Sequence, residues 1–221
     1  MFCPKAIPYL LLAFFGCFSP PADAQVNLKT GYNFSVPTAD GLNHVISTWN
    51  STQLYSTPFK LIKWLHGFEA GIRFRTGIHS FELTYQGAYQ SVKAEGQVND
   101  EAYVDKIKVA VHSGAIGYQL SDGLFGIGAD LQYQFYKDKF ENGSTGEKFK
   151  DVQKMTGLKG YLQFTFEGGQ GVDMVLQPYM ILPFKDFDAQ PLARYLQVEN
   201  DREKEKWIRY GISILFYNGQ K

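Results

Sequence analysis

The closing segment, Ile208 to Phe216, constrains the fold more than any other stretch of the chain. Its even positions, Ile208, Tyr210, Ile212, Ile214 and Phe216, are all large and apolar. The odd positions include Trp207, Arg209, Gly211 and Ser213, a far more polar set. Successive side chains of a strand point to opposite faces, so this strand is apolar on one face and polar on the other. That is the requirement on the final stave of a transmembrane β-barrel, with one face toward lipid and one toward the lumen. Arg209, Gly211, Ile214 and Phe216 also form a spaced pattern that reads as a C-terminal assembly signal.

The opposite end reads as a targeting segment. Lys5 supplies positive charge, Ala6 to Phe18 is mostly apolar, and Ala22-Asp23-Ala24 is a small-x-small cleavage site before Gln25. Residues 1–24 are therefore expected to be a cleavable signal peptide and 25–221 the barrel domain. A competing reading makes Cys17 the lipidated residue of a lipoprotein signal, which bulky Phe14 and Phe15 fit poorly. Both cysteines, Cys3 and Cys17, lie in this segment. Cleavage after Ala24 would leave no disulfide, no Cys-bound metal and no Cys nucleophile, compatible with export through an oxidising periplasm.

Formal net charge is +0, so no basic field advertises nucleic acid. Aromatic residues make up 16% of the chain, with 14 Tyr and 18 Phe, while mean hydropathy is only -0.25. Beyond the leader, no segment is apolar for the length a membrane helix needs. An aromatic-rich, exported chain that is polar on average fits a barrel whose faces alternate between lipid and lumen. A soluble periplasmic β-sandwich is the alternative, and strand length and loop asymmetry separate the two.

Eight segments have period-two polarity. They run over Gln25 to Val36, Gly67 to Thr76, Phe81 to Ser91, Tyr103 to Leu120, Leu124 to Tyr136, Met155 to Glu167, Val172 to Leu182, and the closing strand. Each is about ten residues or longer, enough to cross a bilayer when tilted, where soluble strands usually have about five or six. In the fourth, Ile107, Val109 and Val111 share one parity while Ile116, Tyr118 and Leu120 share the other, and a β-bulge near His112 to Ala115 would restore the phase. Pro178 weakens the seventh, since it cannot donate to a ladder.

The connections alternate. Gly77-Ile78-His79, Ser121-Asp122-Gly123 and Gly168 to Gly171 are tight. Pro37 to His66, Val92 to Ala102, Lys137 to Lys154 and Pro183 to Lys206 are long and polar. Such segregation is a barrel pattern. The first long link carries Leu42, Val45, Ile46 and Trp49 at helical spacing, and Pro58 is placed to open a second helix over Phe59 to Leu65. An apolar link this long should pack somewhere, on the barrel rim or as a lid.

The leader, the eight alternating segments and the Arg209-x-Gly211-x-x-Ile214-x-Phe216 ending resemble the small outer-membrane β-barrel proteins of the OmpA/OmpX-like and PorT-like type. Gly41-Leu42-Asn43, Trp49-Asn50, Trp64-Leu65-His66-Gly67-Phe68 and Gln177-Pro178-Tyr179 resemble the PorT-like branch. The resemblance covers nearly the whole chain after the leader. It implies an all-β fold, an eight-stranded antiparallel up-and-down transmembrane barrel in the cell outer membrane of a Gram-negative envelope, with periplasmic termini. It carries no catalytic residues to transfer.

On the lumen parity lie Glu69, Arg73, Arg75, Glu82, Asp130 and Arg209, with Lys159, Glu167 and Asp173. The interior of an eight-stranded barrel is just wide enough for side chains to fill, and buried charges need partners. Arg73, Arg75 and Arg209 are expected to pair with Glu69, Glu82 and Asp130, as a structural network or as a selectivity site. Small inward residues Gly71, Gly126, Gly128 and Gly211 argue the other way, for an open path. His79-Ser80 and His112-Ser113 are adjacent pairs whose side chains point to opposite faces, so neither makes a hydrolytic dyad alone. His44 and His66 lack metal-ligand spacing, and Gly168-Gly169-Gln170-Gly171 is a turn rather than a phosphate loop. Asn50-Ser51-Thr52 and Asn142-Gly143-Ser144 match glycosylation acceptors. Glu199 to Lys206 reads as a solvated charged loop. Tyr32, Tyr89, Tyr118, Tyr133, Trp207 and Tyr217 are candidates for interfacial girdles.

The expectation is thus a non-catalytic membrane protein with a structural or interaction role and no cofactor or metal. Its partners would be outer-membrane lipid, the barrel assembly machinery during biogenesis, and proteins met through its outer loops. A narrow channel through a polar lumen is the second reading, and a lipid-modifying enzyme the third.

Overall fold

The computed structural model describes residues 25–98, 100–168, 171–199 and 204–218. The expected signal peptide, its cleavage site and both cysteines lie outside these residues, as does part of the charged run from 199 to 206. In chain order the elements are β1 (Gln25–Pro37), α1 (Asp40–Thr52), β2 (Tyr55–Thr57), β3 (Leu65–Thr76), β4 (His79–Val98), β5 (Glu101–Ser121) and β6 (Phe125–Glu141). They continue with β7 (Lys148–Phe166), β8 (Val172–Pro183), β9 (Phe187–Asp188), α2 (Gln190–Leu196), β10 (Lys204–Glu205) and β11 (Arg209–Asn218).

Strands β1, β3, β4, β5, β6, β7, β8 and β11 form a closed antiparallel up-and-down barrel of eight staves. The closing strand joins both neighbours, pairing Ile214 with Tyr32 of β1 and with Leu176 of β8. β10 pairs with β9 in a small separate ribbon. Among the described residues no helix is long and apolar enough to cross a membrane, so any crossing is made by strands. Pro178 stays within β8. Its register with Ile212 of β11 is kept, and the β7–β8 ladder is interrupted opposite it between Tyr161 and Phe164. Two residues of each strand, Leu162 and Gln163 on β7 and Gln177 and Pro178 on β8, drop out of the ladder, a local break that a residue without an N–H favours.

The staves differ in height. β1, β3, β8 and β11 have 10 to 13 residues, whereas β4 to β7 have 17 to 21. Twenty residues give roughly 65 Å of strand, far more than a tilted strand needs to cross an apolar band of roughly 25 Å. One side of the barrel is therefore a tall wall. The links expected at Val92 to Ala102 and Lys137 to Lys154 are largely strand, and only short turns remain at their tips.

The tall wall explains the fourth segment without a bulge. β4–β5 and β5–β6 keep unbroken register across His112 to Ala115. Ile116, Tyr118 and Leu120 point outward and are exposed, while Ile107, Val109 and Val111 point inward and are buried. The apolar face changes sides because the surroundings change. Near the tight turns the outside of the barrel is the apolar environment; higher up, the inside is.

That inner apolar environment is a plug. Leu42, Val45 and Ile46 of α1 are completely buried, packed with Ile107, Val109, Tyr136, Phe140, Trp207 and Leu192 of α2 in one cluster. Of the rim and lid placements for the first link, the lid is the one found. The second expected helix does not form: residues 58–64 run without regular structure. Asn43 and Asn50, seven apart on one face of α1, hold the segment at two points. Asn50 donates to the Phe59 carbonyl and accepts from its N–H at 2.9 and 3.0 Å. Asn43 does the same with Ile62 at 2.9 and 2.7 Å. These bonds take backbone groups a helix would have used, and they turn Phe59 and Ile62 into the plug. The Asn50 amide is thus occupied in the fold, although its sequence context matches a glycosylation acceptor.

Candidate functional site: a lumen filled at two levels

Below the plug the lumen is polar, and its centre is Glu69 on β3. Glu69 is fully buried, and its carboxylate lies 2.7 Å from Lys29 of β1 and 3.4 Å from Lys159 of β7. Ser213 of β11 donates to it at 3.0 Å and Gln86 of β4 at 3.5 Å. Five staves therefore meet at one carboxylate. Lys29 also lies 2.7 Å from Glu82 and donates to the Thr84 hydroxyl. Tyr217 donates to Glu82 at 3.1 Å. Lys159 sits 3.8 Å from Asp130, donates to Gln177 and lies over the Tyr179 ring. An isolated buried carboxylate would be very costly, and partners on several sides are what make it tolerable.

The acids expected in this network are present, but their partners differ from expectation. The cations at Glu69, Glu82 and Asp130 are Lys29 and Lys159. Arg73 instead donates to Asn27 Oδ1 at 3.1 and 3.2 Å and stacks over Tyr217 at 3.9 Å. Arg75 lies near the turn end and donates to the Gly77 carbonyl. Arg209 is buried higher up, with its guanidinium 6.0 Å from the Tyr136 ring centre. The reason is level. β3 carries Glu69, Arg73 and Arg75 successively farther toward the turn end; Gly31 faces Glu69 on β1, and Lys29 two residues away and Lys159 of β7 reach the carboxylate with their side chains. Lys29 was visible in the sequence as the only cation on the inward face of β1; its role was not.

Two of the four inward glycines are seats for rings. Gly128 is in register with Tyr161 and Gly211 with Tyr179. A Cβ built at either glycine would overlap the facing tyrosine ring. Gly126 is covered similarly by Gln119. The same arrangement recurs high on the wall, where Tyr103 of β5 lies against Gly96 of β4. Glycine in these strands admits a large neighbour close to the backbone, so at Gly126, Gly128 and Gly211 the space of the missing side chain is taken by a neighbour.

Outside the barrel, Tyr32, Tyr89, Tyr118 and Tyr133 are exposed, as girdle residues should be. Trp207 and Tyr217 are corrections: both are buried inside, Trp207 in the plug and Tyr217 over Arg73. Three histidines pair with tyrosines, His66 with Tyr32, His79 with Tyr118 and His112 with Tyr85, each at 2.6 Å. His112 and Ser113 do point apart: Ser113 is buried and donates to the Gln86 carbonyl. Among the described residues no cluster of His, Cys, Asp and Glu could hold a metal ion.

The plug is tied to the wall by polar bonds above the apolar band. Tyr55 accepts from the Trp49 indole at 3.0 Å and donates to Asp105 at 2.5 Å. Burial, and then the Asp105 carboxylate, push its hydroxyl above the usual range. Glu205 of β10 accepts from the Gly41 N–H at 2.7 Å and the Leu42 N–H at 3.4 Å, at the start of α1. Burial raises its carboxyl above the ordinary range, with the two backbone bonds opposing.

No family model and no curated protein matches the chain. Among solved structures, the chain is similar to Ail, the attachment invasion locus protein of Yersinia pestis, in complex with the heparin analogue sucrose octasulfate. The identity is 11%, covering 89% of this chain and 99% of that one, with a TM-score of 0.55. The likeness shows the fold of this chain, a small closed eight-stranded β-barrel. Matches with lower TM-scores include Neisserial surface protein A, at 8% identity, 88% and 96% coverage and 0.41. The outer membrane protease OmpT from Escherichia coli matches at 9%, 91% and 98%, and 0.41.

Proposed function

We propose that this chain is a non-conducting barrel of the outer membrane, with a structural or interaction role in the envelope. Its termini and tight turns face the periplasm, and its tall wall and plug face outward. The observation that carries this is the doubly filled lumen: a multi-strand ion-pair core below and an apolar plug above. A solute path would have to break both. The tight turns and both ends of the barrel lie on one side, which supports the orientation. The non-catalytic reading draws support from His66, His79 and His112, which are engaged with tyrosines rather than with a serine and an acid. The outward-facing plug surface and wall tips are where protein partners would be met, and β11 is the segment that assembly machinery would engage.

Refolded protein, shown to be folded by a heat-shifted gel band, is expected to be silent in a planar bilayer and to fractionate with the outer membrane. Discrete conductance steps, or recovery in the soluble periplasmic fraction, would overturn the reading.

A further inference from the structure

The outer surface of the tall wall has its own organisation, which neither the lumen nor the plug explains. Neighbouring strands place their outward residues in rows. Leu83, Ile116 and Leu131 form one row, and above it lie Tyr85, Gly114 and Tyr133. Gly114 stands between two tyrosines, and a Cβ added there would meet nothing within 4 Å. These rows line an open apolar groove of ≈ 720 Å³ on the lipid-facing surface.

The next rows change character. Gly87, His112 and Phe135 follow, then Tyr89, Ala110 and Lys137, then Ser91, Lys108 and Lys139, then Lys93, Lys106 and Glu141. Lys139 is itself in register with Lys150 of β7. Lys93, Lys106, Lys108, Lys139 and Lys150 are exposed and Lys137 is half-buried. The acid of these rows, Glu141, is held by Lys148 at 3.0 Å. At the upper end of the groove the Tyr85 hydroxyl and His112 are hydrogen-bonded, and Lys108 and Lys137 lie close enough to act on His112 electrostatically. Lys108 also sits over the Tyr89 ring at 5.2 Å.

We infer that this face of β4 to β6 is a binding site for an anionic membrane lipid whose negative charge is carried by a headgroup phosphate. One acyl chain lies in the slot over Gly114, and the headgroup phosphate rests on Lys108 and Lys137. Two independent features share the same strands in the order an amphiphile requires. The groove is apolar and open where chains are, and the cations begin where the apolar band stops. Lysines near a membrane surface attract anionic headgroups, and an apolar slot adds chain burial that a bare charge lacks. The inference rests on the membrane-spanning fold and is independent of whether the lumen conducts.

The test is native mass spectrometry of the refolded chain released from micelles containing dioleoylphosphatidic acid, with dioleoylphosphatidylcholine or inorganic phosphate as the comparison probes. Phosphatidic acid is expected to be retained, and phosphatidylcholine and phosphate to be lost. The Lys108→Gln/Lys137→Gln variant should lose about 10-fold in apparent affinity. Gly114→Trp, which fills the slot without altering charge, should also weaken retention several-fold while keeping the heat-shifted band. If Gly114→Trp binds as the parent does while the lysine variant does not, the surface is a diffuse electrostatic attractor and the site is refuted. Equal retention of phosphatidylcholine, or of free phosphate, refutes it as well.

Discussion

Lys29 and Glu69 meet inside the barrel at 2.7 Å, and both side chains are entirely withdrawn from solvent. The same carboxylate receives Lys159 from the far side of the lumen. Glu69 is thus the point through which β1, β3 and β7 are electrostatically joined. Glu69→Ala leaves two buried ammonium groups with reduced compensation, and should cost about 3–5 kcal/mol. Arg75→Ala should stay within about 0.5 kcal/mol, because its guanidinium donates to one turn carbonyl in an exposed setting. Denaturant unfolding of the refolded barrel in micelles checks both, and equal effects would refute the hub.

Gly128 and Tyr161 occupy facing positions in register, and the ring covers the glycine. Gly128→Val should therefore destabilise the barrel by about 1–3 kcal/mol through overpacking. Removing the ring should relieve much of that cost, so Gly128→Val and Tyr161→Ala are expected to couple in a double-mutant cycle. Additive effects would show that the ring can move aside freely.

Asn43 and Asn50 carry the docking of residues 58–64 against α1. Replacing both with Ala leaves four backbone groups without those partners, and each asparagine should be worth about 1–3 kcal/mol locally. Lys60 and Lys63 are exposed in this segment. Trypsin should cleave there much faster in the double variant while the heat-shifted band persists. Unchanged cleavage would mean that Phe59 and Ile62 hold the segment by burial alone.

Glu205 provides the pH dependence. Burial raises its carboxyl in the folded protein, so the native state binds the proton more tightly than the unfolded chain does. Stability from this group is then fully present below its unfolded pKa and is lost as pH rises through the folded one. Docking of α1 should loosen as pH rises above the ordinary carboxylate range. Glu205→Gln, which keeps an acceptor and cannot ionise, should flatten that dependence. Hydrogen exchange at the Gly41 and Leu42 amides, followed against pH in both proteins, reads the effect. A parent whose exchange protection rises with pH would contradict it.

Much of the barrel was legible from residues alone, because each stave has to satisfy lipid on one face and lumen on the other. Val26, Leu28, Tyr32 and Phe34 alternate with Asn27, Lys29 and Asn33 for that reason, and Arg209 to Phe216 do likewise. The same rule misled wherever the surroundings changed along one strand. Ile107 and Ile116 lie on opposite faces of β5 with no irregularity between them, since apolar contact comes from the plug at one height and from outside the barrel at the other. Residues 59–65 do not form the helix their local pattern predicts, because Asn43 and Asn50 supply partners that no local pattern announces.

The candidate site divides along the same line. Polarity alternation is local, and it determined from the sequence that Glu69, Arg73, Glu82, Asp130 and Arg209 would point into the lumen. Which cation meets which acid depends on register and height around a closed ring, a property of all eight staves together. Only the tertiary structure could select Lys29 and Lys159 as partners of Glu69, place Arg73 on Tyr217, and seat tyrosines over Gly128 and Gly211. It also decided that α1 enters the barrel, because the apolar cavity that receives it is made by strands far apart in the chain.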